Sequence, residues 1–257
     1  MLLSSNRTGL RRLIPCLSIA LLLTLWAAVA ALLHSRYLPT PLDVLLALVA
    51  EAKSGALLHH MLVTFTRVVA AFTVAMLVGG AVGLALGRRA GLNLIFDPWL
   101  LLALNVPALV TIVFCYLWIG LNEAGAIAAV ALNKIPQVAI TLREGARALD
   151  PQLDEVATIY RVKGWRRFTH FIWPQLQPYL ATAVRNALAL TWKLVLVVEA
   201  FGRSSGVGFA INLYFGLFDI ARIMAYSLAF MAVVMALEAF VIKPWEVRAR
   251  AWRGAVS

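Results

Sequence analysis

Ionisable side chains recur inside the long apolar runs of this sequence, and their spacing defines the chemistry open to them. Between residues 179 and 201, Arg185, Trp192 and Glu199 lie seven apart and share one helix face, while Asn186 and Lys193 form a second row beside it. Lys134, Gln137 and Thr141 repeat the pattern more weakly over 124–142. An ionised group near the middle of a bilayer costs about 2.5–3.5 kcal/mol on insertion scales, so such rows avoid lipid. Two readings stand. The rows line a polar pathway, in which case Lys134, Arg185 and Lys193 suit an anion; or they form internal ion pairs and, for Arg185 and Glu199 near opposite ends of the run, snorkel to the interfaces.

A second polar feature is the stretch DEVATIYRVKGWRRFTHFIWPQLQP at 154–178, a charged island in a chain of which 14% is charged. Asp150-Pro151 reads as a helix cap followed by proline at the first helical position. Asp154 and Glu155 then place negative charge in the opening turns. Lys163-Gly164 interrupts this helix, and a second, basic helix from Trp165 to Ile172 is expected to end before Pro174. Two short helices too polar to insert form a surface suited to docking something cytoplasmic.

Catalysis finds little support. There is no phosphate-binding G-x-x-x-x-G-K-[ST], no H-E-x-x-H, no G-x-S-x-G and no carboxylate pair spaced for acid and base work. FGRSSGVGF at 201–209 lacks the lysine and hydroxyl that phosphates need, and reads as a loop leading into a short amphipathic or re-entrant segment at 209–220. Cys16 and Cys115 sit far apart in apolar runs, and the adjacent His59 and His60 point to different helix faces, so no metal site is expected. The chain is expected to be no enzyme and to bind no cofactor itself.

The elements that must position these groups follow from composition. Of 257 residues 62% are apolar, and the mean hydropathy is +0.86, far above soluble domains. No polar stretch is long enough for a separate soluble domain. An all-α integral membrane protein of about six helices is expected, with spans near 13–34, 62–87, 97–120, 124–142, 179–201 and 223–243. Ala28-Val29-Ala30 resembles a signal-peptide cleavage site, but the apolar run before it is too long, which favours an uncleaved first span.

With a cytoplasmic N-terminus, fifteen lysines and arginines fall inside (Arg7, Arg11, Arg12 and the C-terminal Arg248, Arg250 and Arg253 among them) and four outside: Arg36, Lys53, Arg203 and Arg222. This bias puts 154–178 and both termini in the cytoplasm. The net charge of +11 is thus topological, and the basic residues form no patch suited to nucleic acid. Gly79, Gly83 and Gly87, four apart, line one helix face for close packing. Pro98, Pro107 and Pro136 lie in or beside spans, where they can kink helices.

On these residues the chain resembles the permeases of binding-protein-dependent ABC importers. Glu155-Val156-Ala157, followed nineteen residues after the Glu by Pro174, is similar to their EAA loop. HMLVTFTR at 60–67, the glycines of the second span, Pro107, Trp118-Ile119-Gly120, Pro136, Asp150, and Glu199 before Gly206-Val207-Gly208 extend the likeness, most closely to the nitrate, sulfonate and taurine branch. The resemblance implies a transmembrane domain at 58–245, preceded by a tail, first span and periplasmic connection (1–57) and followed by a cytoplasmic tail (246–257). It implies a bacterial inner-membrane permease that pairs with a second permease subunit, in the simplest case a homodimer. It also implies an external solute-binding protein, and cytoplasmic ATPase subunits that hold ATP and Mg.

Carried over, Asp150, Glu155, Ala157, Arg161 and Gly164 through Pro174, including Trp165, would form the ATPase-coupling loop between spans four and five. One position departs: the family places a glycine six residues after the Glu, where this chain has Arg161, with Gly164 three residues later. Either the turn moves to Lys163-Gly164, or the loop keeps the family shape with strain at Arg161, or the chain couples weakly beside a more typical partner. A secondary transporter or channel is the competing class; it would show duplicated halves, and no internal repeat is evident.

Overall fold

The structure, a computed structural model, describes the backbone of residues 5–33 and 37–245 and the side chains of 17–33, 37–153 and 155–245. The side chains of Arg7, Arg11, Arg12, Cys16 and Asp154, together with Arg36 and the 246–257 tail, lie outside the described residues. Among the described residues all regular structure is helical: α1 (Ser5–Leu33), α2 (Pro41–Lys53), α3 (Ala56–Arg88), α4 (Ala90–Asn105), α5 (Ala108–Ile119), α6 (Glu123–Arg147), α7 (Pro151–Ile159), α8 (Gly164–Arg167), α9 (Trp173–Gly202), α10 (Val207–Gly216) and α11 (Ile220–Leu237).

Among the described residues four helices are long and apolar enough to cross a membrane: Ala56–Arg88, Glu123–Arg147, Gly164–Gly202 and Ile220–Trp245. The pair α4 and α5 makes a fifth crossing if counted together. The span expected at 97–120 is thus a broken one, bent beside a proline expected to kink it, and its two axes meet at 96°. Proline explains the break. The residue before a proline is driven out of the helical region by the ring, and Val106 accordingly sits at φ −66°, ψ 123° ahead of Pro107. Pro98, Pro136 and Pro178 stay inside continuous helices.

One correction concerns Pro174. The basic helix does not end before it; α8, a π turn at Phe168–Ile172 and α9 run on as one helix of 39 residues. In the π turn the Trp173 N–H reaches back to the Phe168 carbonyl. This wider register makes room for the proline ring, and the Gln175 side-chain amide donates to the Phe171 carbonyl (2.6 Å).

α6 is the axis of the bundle, packed against α3, α4, α5 and α9. Its contact with α3 is set by the glycine row. A Cβ at Gly79 would lie 2.8 Å from the Ile135 carbonyl oxygen, and one at Gly87 would lie 2.7 Å from that of Arg143. One at Gly83 would meet the Ala139 carbonyl closer still. Backbone therefore rests on backbone along three turns. At the inner end Arg143, nearly buried, pairs with Asp97 and Glu144 and fastens α4 to α6. The outward faces of α1, α4, α5 and α11 expose large apolar side chains such as Leu22, Leu94, Trp99, Leu117 and Met235, as befits surfaces turned to lipid or to other helices.

The glycine seam yields a stability prediction. Gly83→Leu must push α3 off α6, and overpacking of this kind costs about 1–3 kcal/mol. In a thermal unfolding assay of the purified protein its midpoint should fall by roughly 3–10 °C. Gly91→Ala, whose Cβ would enter open space, should leave the midpoint level or slightly raised.

Candidate functional site: a helical loop, a polar stripe and a buried ion-pair cluster

The loop between α6 and α9 is built by its caps. Asp150 accepts from the Gln152 N–H (2.8 Å), and Pro151 occupies the first turn of α7. The Asp150 N–H itself donates to Gln175 Oε1 (2.8 Å), tying the start of the loop to the helix that leaves it. At the other end of α7 the Val162 N–H donates to the Ala157 carbonyl (2.8 Å) and the Arg161 N–H to that of Thr158 (3.0 Å). This is a Schellman ending, which calls for a left-handed residue where glycine is usual. Arg161 supplies it at φ +53°.

The alternatives for the turn resolve into a combination. Arg161 adopts the left-handed conformation of the expected glycine, and Gly164 also takes positive φ, at +58°, to open α8. Ala157 is a correction: it is wholly buried and packs inside the loop, so it offers no external contact. The face left outside carries Glu155, with Leu153, Val156, Ile159, Tyr160 and Trp165. Ile159, Tyr160 and Trp165 are each about three-quarters exposed, and Trp165 stacks on Phe168 at 5.4 Å. Beneath the loop lies a cavity of about 630 Å³ bordered by Arg88, Asp150, Gly164, Arg167 and Phe171.

The polar stripe of α9 divides. Arg185, Trp192 and Lys193 border a cavity of about 450 Å³ closed by Phe230, Met231 and Glu238 from the last crossing. Lys134 and Gln137 do not border it. Lys134 is more than nine-tenths buried, with no ion-pair or hydrogen-bond partner among the described residues. Gln137 and Thr141 follow it half-buried, the Thr141 hydroxyl donating to the Gln137 carbonyl (2.9 Å).

Glu199 is neither snorkelling nor lining a cavity. It is fully buried, accepting from the Thr64 hydroxyl (2.8 Å), the Arg67 guanidinium (2.7 Å) and the Gly208 N–H (2.9 Å). Arg67 also grips Glu123 through Nε and Nη2 (both 2.7 Å) and donates to the Ser205 carbonyl (2.6 Å). Arg203 joins the same Glu123 carboxylate and donates to the Leu121 carbonyl (2.7 Å). Two carboxylates and two guanidiniums thus close a neutral cluster that joins α3, α6, α9 and the loop before α10. Of its members only Glu199 was singled out from sequence as a site residue. Thr64 and Arg67 carry a signal that could have found them, since an arginine and a threonine on one face of an otherwise apolar helix need a partner.

An all-α membrane domain, with a docking loop on one side and buried charges spent on joining helices, has the form of a membrane transport subunit. Residues 75–243 match the model of the binding-protein-dependent transport system inner membrane component, and the chain belongs to that family of ABC importer permeases. It is similar to the putative aliphatic sulfonates transport permease protein SsuC of Bacillus subtilis, 30% identical over 75% of this chain and 70% of that protein. The taurine transport system permease protein TauC of Escherichia coli is 26% identical over 93% of this chain and 89% of its own length. The nitrate import permease protein NrtB of Synechocystis is 25% identical over 77% and 74%.

Arg161 supplies the prediction for this site. A left-handed non-glycine residue costs about 1 kcal/mol or more relative to glycine, so Arg161→Gly should tighten the loop. Limited proteolysis within 158–166 of the purified protein should slow by about threefold or more, with the remaining cleavage sites unaffected.

Proposed function

We propose that this chain is the permease of an ATP-driven importer of a small anion, driven through the 150–174 loop by a cytoplasmic ATPase. The observation that carries the reading is the exposed apolar face of α7 and α8. Ile159, Tyr160 and Trp165 would be costly to leave in water unless a partner covers them, and the loop is fastened at both ends to the crossings it joins. A rigid loop of this kind can pass a displacement of its partner to α6 and α9.

The partners follow from the same reading. Two ATPase subunits hold ATP and Mg, a second permease copy completes the pathway, and an external binding protein delivers the solute. Both termini face the cytoplasm of a bacterial cell. An anion is favoured by Lys134, Arg185 and Lys193, and by relatives named for sulfonates, taurine, nitrate and bicarbonate. Lys193, an exposed cation on the wall of the α9 cavity, is the residue best placed to meet it.

Reconstitution with the ATPase tests both halves. Glu155→Lys should lower solute uptake and stimulated ATP hydrolysis by about tenfold or more while the permease still inserts, as expected when a charge is reversed at an interface; indifference of both rates would remove the coupling role. Lys193→Gln should raise the KM for an anionic solute by roughly fivefold or more with assembly intact, and an unchanged KM would return Lys193 to a packing role.

A further inference from the structure

The three amides that open α10 are each taken by a side chain of another helix. Gly206 N–H donates to His60 Nδ1 (3.0 Å), Val207 N–H to Thr64 Oγ1 (2.8 Å) and Gly208 N–H to Glu199 Oε2 (2.9 Å). His60, Thr64 and Arg67 stand at i, i+4 and i+7 on one face of α3. The far end of α10 is held as well: the Tyr214 hydroxyl donates to the buried Glu51 of α2 (3.0 Å). α10 is thus held to α2, α3 and α9 by side chains at both of its ends.

Of these three acceptors, the one whose lone pair a single proton would remove is the His60 imidazole. The Thr64 hydroxyl does not titrate near neutral pH, and Glu199 is held by Arg67. His60 accepts at Nδ1, which requires a neutral ring with its proton on Nε2. A protonated ring has no free lone pair, and would set a cation against the amide N–H groups at the positive end of α10. A free histidine titrates at about 6.5, so below that pH protonation of the released ring competes with the hydrogen bond to Gly206.

The surroundings of the ring supply no ready partner for an imidazolium. His59, on the same helix, lies 5.4 Å away centroid to centroid. From α11 comes the Tyr226 ring at 5.8 Å, and from α10 the uncharged Phe209 at 5.9 Å. Glu51 of α2 is the nearby acid, but it already accepts from Tyr214, Tyr226 and Arg222. Glu199 of α9, behind Gly206, is likewise filled by Arg67, Thr64 and Gly208. His60 is half-buried, so protons can reach it.

We propose that His60 is a proton-operated latch: α10 is seated on α3 while the imidazole is neutral and is released when it is protonated. On the importer reading, uptake falls over the same range of external pH.

Hydrogen exchange of the amides at 206–208 in the full-length protein, corrected for intrinsic rates, tests the latch without any transport measurement. Between about pH 7.5 and pH 5.5 the wild-type amides should lose protection by about tenfold, the size expected when a donor loses its acceptor. His60→Asn, whose Oδ1 stands where Nδ1 does and does not titrate, should keep the same protection at both values. Unchanged wild-type protection overturns the latch whether or not the variant folds, and an equal loss in His60→Asn does so too. Either failure leaves the importer reading untouched. Uptake that falls with acid in the wild type and stays level in His60→Asn supports the transport consequence, and equal slopes overturn it.

Discussion

A carboxylate with no exposed surface near the end of a membrane helix is the constraint around which the outer half of this protein is arranged. An unpaired buried charge costs several kcal/mol, and Glu199 is tolerated because three donors, two from α3 and one from α10, converge on it. That convergence dictates much else. Gly206 must lack a side chain because a Cβ there would overlap the Glu199 carboxylate, and Gly208 because one would strike the Leu196 carbonyl. Arg67 must be long, planar and always charged to reach Glu199, Glu123 and Ser205 together. Removing Arg67 alone would leave the buried Glu199 without a cation, at a cost of about 3–5 kcal/mol, whereas neutralising both sides of a pair is far milder.

The inner half depends on a different economy. α3 and α6 approach backbone to backbone at Gly79, Gly83 and Gly87 to form one packed body, and Arg143 adds α4 to it through Asp97. The loop at 150–174 leaves this body at the end of α6 and returns into α9, with the Asp150 to Gln175 bond closing its base. A push on the exposed face of α7 therefore acts on α6 and α9 together. The left-handed Arg161 is consistent with such a role, since strain is kept only where the surrounding hydrogen bonds over-determine the geometry.

What could be read from sequence followed local rules. Asp150-Pro151 announced its cap, the four-residue glycine spacing announced a packing face, and the apolar runs announced their helices. What could not be read depended on competition between local signals or on distant partners. Five prolines lie within or between the crossing helices discussed above, yet only Pro107 separates two helices, because helix neighbours and a π register absorb the others. Glu199 looked like a group able to snorkel, since its partner Arg67 is 132 residues away. The fully buried Ala157 resembles its exposed neighbours in sequence; the Schellman turn that buries it is visible only once Arg161 is seen at positive φ.

The distribution of satisfied and unsatisfied charge separates scaffold from pathway. At the outer end Glu199, Glu123 and Glu51 all find cations, and at the inner end Arg143 finds Asp97 and Glu144. A chain that assembles three donors for one carboxylate does not leave a buried lysine without an acid for lack of means. Lys134, more than nine-tenths buried and unpaired among the described residues, and Lys193, on a cavity wall, lie between the two fastened ends. A cation retained at this depth without its own counter-ion is stabilised whenever a negative solute passes. On the importer reading proposed above, the middle of the bundle, left unfastened, is where a negative solute would meet the protein.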